Sequence, residues 1–435
     1  MMMPIRSRKS ANAATVRDRW AALMVRRSSG RGAGLLYYGD IVRLGDAGSV
    51  RKSIAGKIGW AERAAPGRER HEAVVRAFIE TGEFVQGLAD QEFEDAGADN
   101  VSSMQQDGNM LLLLLAHAVK ESWTGGELGS FRLAPGWSDI LDRLDSPRPI
   151  PLKRGEGYAF YCLYPENYLA AAAVSGLPPS TVVIGLRSIG TSLAALVAAA
   201  LDAGPAFTLR PVGHPFDRRV VLTPALEGAI LRDLSCDFAI VDEGPGLSGS
   251  SFGCVVDWLI AQGVAQDRIH LFPSHAGGLR PEANGVHRTL WDKLPRHVAA
   301  YDDDATHIDR NVRDWAATLT GEHIRYWEDI SGGAWREKRY ASQEQWPAVH
   351  ASMERRKFLL HGEERTLFMK FTGLDDLARQ RVATNAKLAE AGFTPRQAGA
   401  VYGFQVEEWV SSKMKVLADG NDDVIDAVGR YLGFR

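Results

Sequence analysis

Apolar residues recur at two different periods along this chain, and the change of period divides it into three regions. Up to about residue 150 the spacing is helical. The stretch 71–79 sets apolar side chains three and four apart, and a second helix follows through the apolar run 110–116. A turn-rich stretch over 145–151, with Pro147, Pro149 and Pro151, closes this region. From 151 to about 300, short β-rich runs alternate with helical patterns. Strands are predicted over 158–164, 181–186, 238–241 and 268–272. Helices are predicted over 165–173, where Pro165 suits a first turn, then 192–201 and 252–262. Strand, helix, strand, helix is the pattern of a parallel sheet covered by helices, and such sheets bind ligands at the carboxyl ends of their strands. From 301 to 435 the pattern is mixed. Strands over 356–360 and 366–371 form a hairpin with Gly362 in the turn, a helix over 375–391 ends at Gly392, and a further strand covers 404–409.

The chain therefore reads as α/β: a mostly helical region over 1–150, a central parallel-sheet domain over 151–300 and a smaller α+β domain over 301–435. No internal repeat or long low-complexity tract interrupts it.

Composition narrows the classes. Apolar residues make up 45% of the 435 and charged residues 24%, too apolar for a disordered chain. Lysine and arginine number 51 against 54 acids, which argues against a dedicated nucleic-acid binder. The three cysteines, Cys162, Cys236 and Cys254, have no CxxC spacing and fit a reducing compartment without a thiolate zinc site. The apolar run 110–116 is far short of the ~18–20 residues that cross a bilayer, so a cytoplasmic protein is expected. The first 31 residues hold eight cations and one acid, Asp18. That suits a transit peptide, and equally a basic start followed by a helix around 16–24.

The sharpest chemistry lies in Ile240-Val241-Asp242-Glu243-Gly244-Pro245-Gly246-Leu247-Ser248-Gly249-Ser250-Ser251. An apolar strand ends in two acids, and a Gly/Ser loop then opens a helix. The loop offers backbone N–H groups, hydroxyls and a helix N-terminus to a phosphate. The acids suit sugar hydroxyls or a hydrated divalent cation. Taken alone, the acids also fit a solvated strand end and the loop a plain βα turn. No lysine follows the glycines, so this is not a Walker loop. One βα unit upstream, Val183-Ile184-Gly185-Leu186-Arg187-Ser188-Ile189-Gly190 repeats the strand–loop–helix form, with Arg187 suited to phosphate oxygens.

The first segment resembles the phosphoribosyl-pyrophosphate (PRPP) signature of the type I phosphoribosyltransferases, in a divergent bacterial form. The stretch between acids and loop is one residue longer than that pattern and carries Pro245. The resemblance covers roughly residues 155 to 280 and implies a phosphoribosyltransferase-like central domain. Carried over, Asp242 and Glu243 contact the ribose and, through water, Mg2+, while Gly246, Ser248, Gly249, Ser250 and Ser251 cradle the 5′-phosphate. Leu186, Arg187, Ser188, Ile189 and Gly190 are similar to the pyrophosphate loop. The interval between the loops corresponds to a mobile flap, with Arg210, His214, Arg218 and Arg219 supplying positive charge. The turn after the last strand approaches the acceptor in this fold, making Ser274 and His275 acceptor candidates, although a polar turn explains them too. The implied activity is Mg-assisted phosphoribosyl transfer to or from a nitrogenous acceptor, with Asp242, Glu243 and Arg187 as the catalytic set. The alternative is a non-catalytic module that senses PRPP or a nucleotide-like molecule, or binds a partner. A homodimer is also in keeping with the resemblance.

The carboxy-terminal region carries a weaker likeness to the amino-terminal lobe of a kinase. Lys370 takes the place of the phosphate-contacting strand lysine, with Glu390 or Glu407 near it, but no HRD-like or DFG-like motif follows. A salt-bridged strand lysine is the alternative. Asp302, Asp303, Asp304, His307 and Asp309 could hold a metal or simply form a solvated acidic loop.

Overall fold

A computed structural model describes residues 42–124, 132–246, 248–303, 306–411 and 422–434. The chain divides into Met1–Asp40 and Ile41–Arg435, and everything below concerns the second unit. The helix expected around 16–24, Leu247 and Asp304 lie outside the described residues.

The amino-terminal region is helical, as its spacing predicts. After β1 (Val42–Gly45) come α1 (Ala47–Arg63), α2 (Arg68–Ala96), α3 (Ser103–Thr124) and α4 (Trp137–Arg143). Strand β2 (Ile150–Lys153) pairs antiparallel with β1. Helix α2 is much longer than the 71–79 stretch that announces it. It is buried almost continuously from Arg70 to Gln91 because α1, α3 and β2 pack around it, and a helix covered on all sides shows no single apolar stripe.

The middle region supplies α5 (Glu156–Phe160), α6 (Pro165–Ala173), β3 (Val182–Leu186), α7 (Gly190–Ala200), β4 (Phe207–Leu209), the hairpin β5 (Val212–His214) and β6 (Asp217–Arg219), α8 (Pro224–Ile230), β7 (Phe238–Val241), α9 (Ser250–Ala261), β8 (Ile269–Phe272) and α10 (Gly285–Lys293). Strands β4-β3-β7-β8 form one parallel sheet in that order. Both faces are covered, so the strands are mostly apolar, with Thr208 in β4 and His270 in β8 as the polar exceptions. Val183, Ala239, Val241 and Phe272 enter one core, whereas Ile184, Leu186, Ile240 and Leu271 enter the other.

One predicted strand is replaced. Residues 158–164 form the end of α5 and a turn in which Cys162 has a φ of 57°. A strand would turn alternate aromatics outward. The helical turn instead buries Tyr158, Phe160 and Tyr164 together. Short apolar runs carry too few repeats to separate the two periods.

The carboxy-terminal region comprises α11 (Ile308–Thr320), β9 (Tyr326–Asp329), α12 (Trp335–Arg339), β10 (Lys357–His361), β11 (Thr366–Phe371), α13 (Asp376–Glu390), β12 (Gln397–Val401), β13 (Phe404–Glu408) and α14 (Asp422–Phe434). Its five strands form an antiparallel sheet ordered β12-β13-β11-β10-β9. Among the described residues no helix is long and apolar enough to cross a membrane.

Candidate functional site

The site is built at the carboxyl ends of β3 and β7, which are neighbours in the sheet with Gly185 opposite Val241. Each strand runs into a short turn and then a helix, so the two turns lie side by side. A side chain at Gly190 would put its Cβ 2.7 Å from the Val241 carbonyl oxygen and 3.4 Å from Asp242 Oδ1. Only glycine lets the start of α7 sit this close to the acidic turn. The turn Leu186, Arg187, Ser188, Ile189 and Gly190 thus meets the acidic turn at Gly190. The Arg187–Ser188 peptide bond is cis.

The two acids are held by distant segments. Asp242 Oδ1 accepts the Glu243 N–H at 2.8 Å, and the Tyr168 hydroxyl donates to the Asp242 carbonyl at 2.8 Å. Glu243 Oε2 accepts the Gly157 N–H at 3.1 Å, and the Glu243 carbonyl accepts the Ser274 N–H at 2.7 Å. Loss of water raises both carboxyls. Asp242 rises to about 7, against the Glu243 N–H bond and the charges of Lys153 and Arg218, which favour ionisation. Glu243 rises to about 8, with the charges of Glu156 and Asp242 adding to burial.

The Gly/Ser loop is closed by the hairpin. Gly249, with a φ of 66°, precedes α9 and its N–H bonds the Pro245 carbonyl at 2.8 Å. The hydroxyls of Ser248 and Ser250, 2.9 Å apart, each lie 2.6 Å from the carbonyl oxygen of Pro215 at the hairpin tip. A backbone oxygen thus meets the two hydroxyls assigned to phosphate. Gly246, also at positive φ, lies in the turn, and Ser251 stands in the first turn of α9. Arg218 donates to the Pro211 carbonyl at 3.0 Å and acts electrostatically on Asp242. His214 and Arg219 are exposed, and His214 Nδ1 accepts the Phe216 N–H at 3.2 Å.

Ser274 and His275 reach the same end of the sheet. A Cβ on Gly244 would stand 3.3 Å from His275 Nε2 and 3.9 Å from Ser274 Oγ. Burial lowers the His275 pKa, which favours the neutral ring.

Arg187 requires correction as a pyrophosphate ligand. Its side chain is fully buried, donates from Nε to Asp90 at 2.8 Å, pairs with Asp99 and donates to the Thr208 carbonyl at 3.2 Å. Arg210 pairs with Asp90 too, and its backbone N–H bonds Asp99 at 2.7 Å. A buried guanidinium turns to buried carboxylates because an unpaired internal charge costs several kcal/mol, about 3–5 when one partner is removed. Arg187 and Arg210, two of the four arginines expected to meet pyrophosphate, therefore brace the sheet against α2. Lys153 and Arg218 are the cations whose charge reaches the acids. Lys153 falls outside the recognised motifs because nothing in the spacing joins β2 to β7.

Lys370 lies opposite Lys357 in the carboxy-terminal sheet. Burial and the charges of Arg355 and Lys357 lower its pKa, with Glu407 and Glu354 opposing them. Asp302 pairs with Arg356 at 3.8 Å and Asp309 with Arg313 at 2.7 Å. No cluster of three metal-holding side chains occurs among the described residues. No family model, curated protein or solved structure matches the chain.

Proposed function

We propose that this protein transfers a phosphoribosyl group from PRPP to a nitrogenous acceptor, or catalyses the reverse. The observation that carries this reading is the close approach of Gly190 to Asp242, which sets a loop suited to pyrophosphate beside an acid pair suited to ribose. Asp242 and Glu243 fix the sugar hydroxyls. The backbone of Gly246, Ser248, Ser250 and Ser251 receives the 5′-phosphate, while the N–H groups of Ser188, Ile189 and Gly190 face pyrophosphate, those of Arg187 and Gly249 being taken by the Leu209 and Pro245 carbonyls. Lys153 and Arg218 supply the positive charge first sought in Arg187. Asp242 and Glu243 present hard carboxylate oxygens that would hold Mg2+ through water. When bound, the ion supplies charge that favours departure of pyrophosphate. The bond from ribose C1 to pyrophosphate breaks as the acceptor nitrogen approaches, so the protein needs no nucleophile of its own. Its task is to hold the sugar and stabilise the leaving group. The hairpin excludes water from that centre.

A second reading, a sensor that binds PRPP or a nucleotide without transfer, is favoured by two contacts. Arg187 is committed to Asp90 and Asp99, and the Pro215 carbonyl engages Ser248 and Ser250. Calorimetry with PRPP and Mg2+, followed by a pyrophosphate-release assay with purine and pyrimidine bases, separates the two. Transfer predicts binding and release, and a sensor predicts binding alone. The double variant Asp242→Asn, Glu243→Gln should lose PRPP binding by at least about tenfold, or ~1.4 kcal/mol, with an unchanged circular dichroism spectrum. Normal binding by that variant would remove the ribose assignment from both readings.

A further inference from the structure

A cleft lies among α1, α2 and α13, away from the acid pair and the Gly/Ser loop. It is a groove of about 570 Å³, large enough for a nucleotide-sized ligand. Its lining carries Lys52, Lys57, Arg68, Arg76 and Arg379 against only Glu69 and Glu72. Neighbouring carboxylates offset only part of this excess. Lys57 is occupied by Glu80 and by Asp376 at 2.7 Å. Glu72 is shared between Arg68 at 3.6 Å and Arg76 at 3.7 Å. Lys52 and Arg379 make no ion pair among the described residues.

Arg76 is the centre of this imbalance. Its side chain is nine-tenths buried, and Nε has no hydrogen-bond partner, its nearest carboxylate being Asp376 at 3.7 Å. A buried guanidinium donor normally finds an acceptor, and one left over in a cavity wall marks where an acceptor from a ligand belongs. Arg379 presses a like charge on it, and that repulsion adds to burial in lowering the Arg76 pKa. An anion between the two arginines would relieve both costs.

The groove also carries an aromatic surface. Trp60 lines it with 43% of its surface exposed. Gly56, one turn earlier on α1, keeps the wall beside it low, with no atom within 4 Å of where its Cβ would stand. A flat, exposed indole beside arginines suits a ring with a π-face.

We propose that this groove binds an organic phosphate bearing a flat ring, of the nucleoside monophosphate class, with the phosphate on Arg76 and Arg379 and the ring against Trp60. The assignment does not depend on the transfer reaction, and the test keeps the two apart. The full chain carrying Asp242→Asn and Glu243→Gln is titrated calorimetrically with adenosine monophosphate and with inorganic phosphate. Adenosine monophosphate should bind. Adding Arg379→Glu, an exposed position, should weaken it at least about tenfold, the scale of one lost charge-assisted bond. Trp60→Ala should weaken adenosine monophosphate severalfold and leave inorganic phosphate unchanged. Absence of binding in the double variant, or affinity indifferent to Arg379→Glu, overturns the site. Equal loss of both probes in Trp60→Ala overturns the ring assignment. Should Arg379→Glu fail to fold, Lys52→Glu on the exposed face of α1 replaces it with the same expectation. An azido-adenosine monophosphate photolabel should mark residues 52–60, and labelling confined to other segments also overturns the proposal.

Discussion

Asp242 and Glu243 are acids in surroundings that disfavour their charge, and this fixes how they respond to pH. Their folded pKa values, about 7 and about 8, lie above those of exposed carboxyls. Between about pH 4 and those values the folded chain holds protons that the unfolded chain has released. Stability from these groups is therefore fully present at low pH and is lost as pH rises through 7 to 8. Glu243→Gln should accordingly stabilise the protein by about 1 kcal/mol or more at pH 8 and have little effect at pH 4.5, as measured by guanidinium melts. A difference independent of pH would mean that Glu243 is already ionised in the folded state. The acid pair is legible in the sequence because it ends an apolar run. Its burial is not, because Gly157, Tyr168 and Ser274, which enclose it, come from distant positions. Arg187 shows the same limit. Its position at a strand end is readable, but Asp90 and Asp99, which claim its charge, belong to an unrelated stretch of helix and turn.

Elements are legible in proportion to their length and to the contrast between their faces. The buried strands β3, β7 and β8 stand out as apolar runs, and α13 is marked by Asp375, whose carboxylate accepts the Ala378 N–H at 2.9 Å, and by Gly392 beyond its end. Strands β4, β5 and β6 have three residues each, too few to display a period. The β5–β6 hairpin thus appears in the sequence only as an interval between two loops. Its tip is held through the Pro215 carbonyl by two serine hydroxyls. At about 0.5–1.5 kcal/mol for each net bond, these contacts govern how often the hairpin opens. Ser248→Ala with Ser250→Ala should raise the open population about fivefold or more and speed tryptic cleavage after Arg218 and Arg219 by the same factor. Unchanged cleavage would assign the closure to other contacts, such as the Arg218 bond to the Pro211 carbonyl.

At the scale of the molecule, three sequence textures share a hydrophobic core. The boundaries near 150 and 300 are drawn from changes of periodicity, and one continuous cluster crosses both, running from Ala47 on α1 through Leu196 on α7 to Val406 on β13. A polar strut crosses the same interior. His71 on α2 meets Ser122 on α3 at 2.7 Å and Glu166 on α6 at 2.7 Å, and the Tyr402 hydroxyl donates to Glu166 at 2.6 Å. These residues come from all three regions, and all are buried. Periodicity cannot reveal such a strut, since each member occupies a position where its own element expects an ordinary core residue. Continuity of the core implies that the regions lose structure together. Tyr402→Phe removes one donor from a buried carboxylate and should cost about 1–3 kcal/mol. Trp123 and Trp315, two of the chain's eleven tryptophans, lie 6.3 Å apart and flank Tyr402, so part of the fluorescence reports on the junction while circular dichroism reports on the whole chain. Both signals should follow one denaturant transition in the parent and shift together in Tyr402→Phe. A fluorescence transition that moves alone would show that the carboxy-terminal sheet separates before the rest, and that the shared core does not couple the regions.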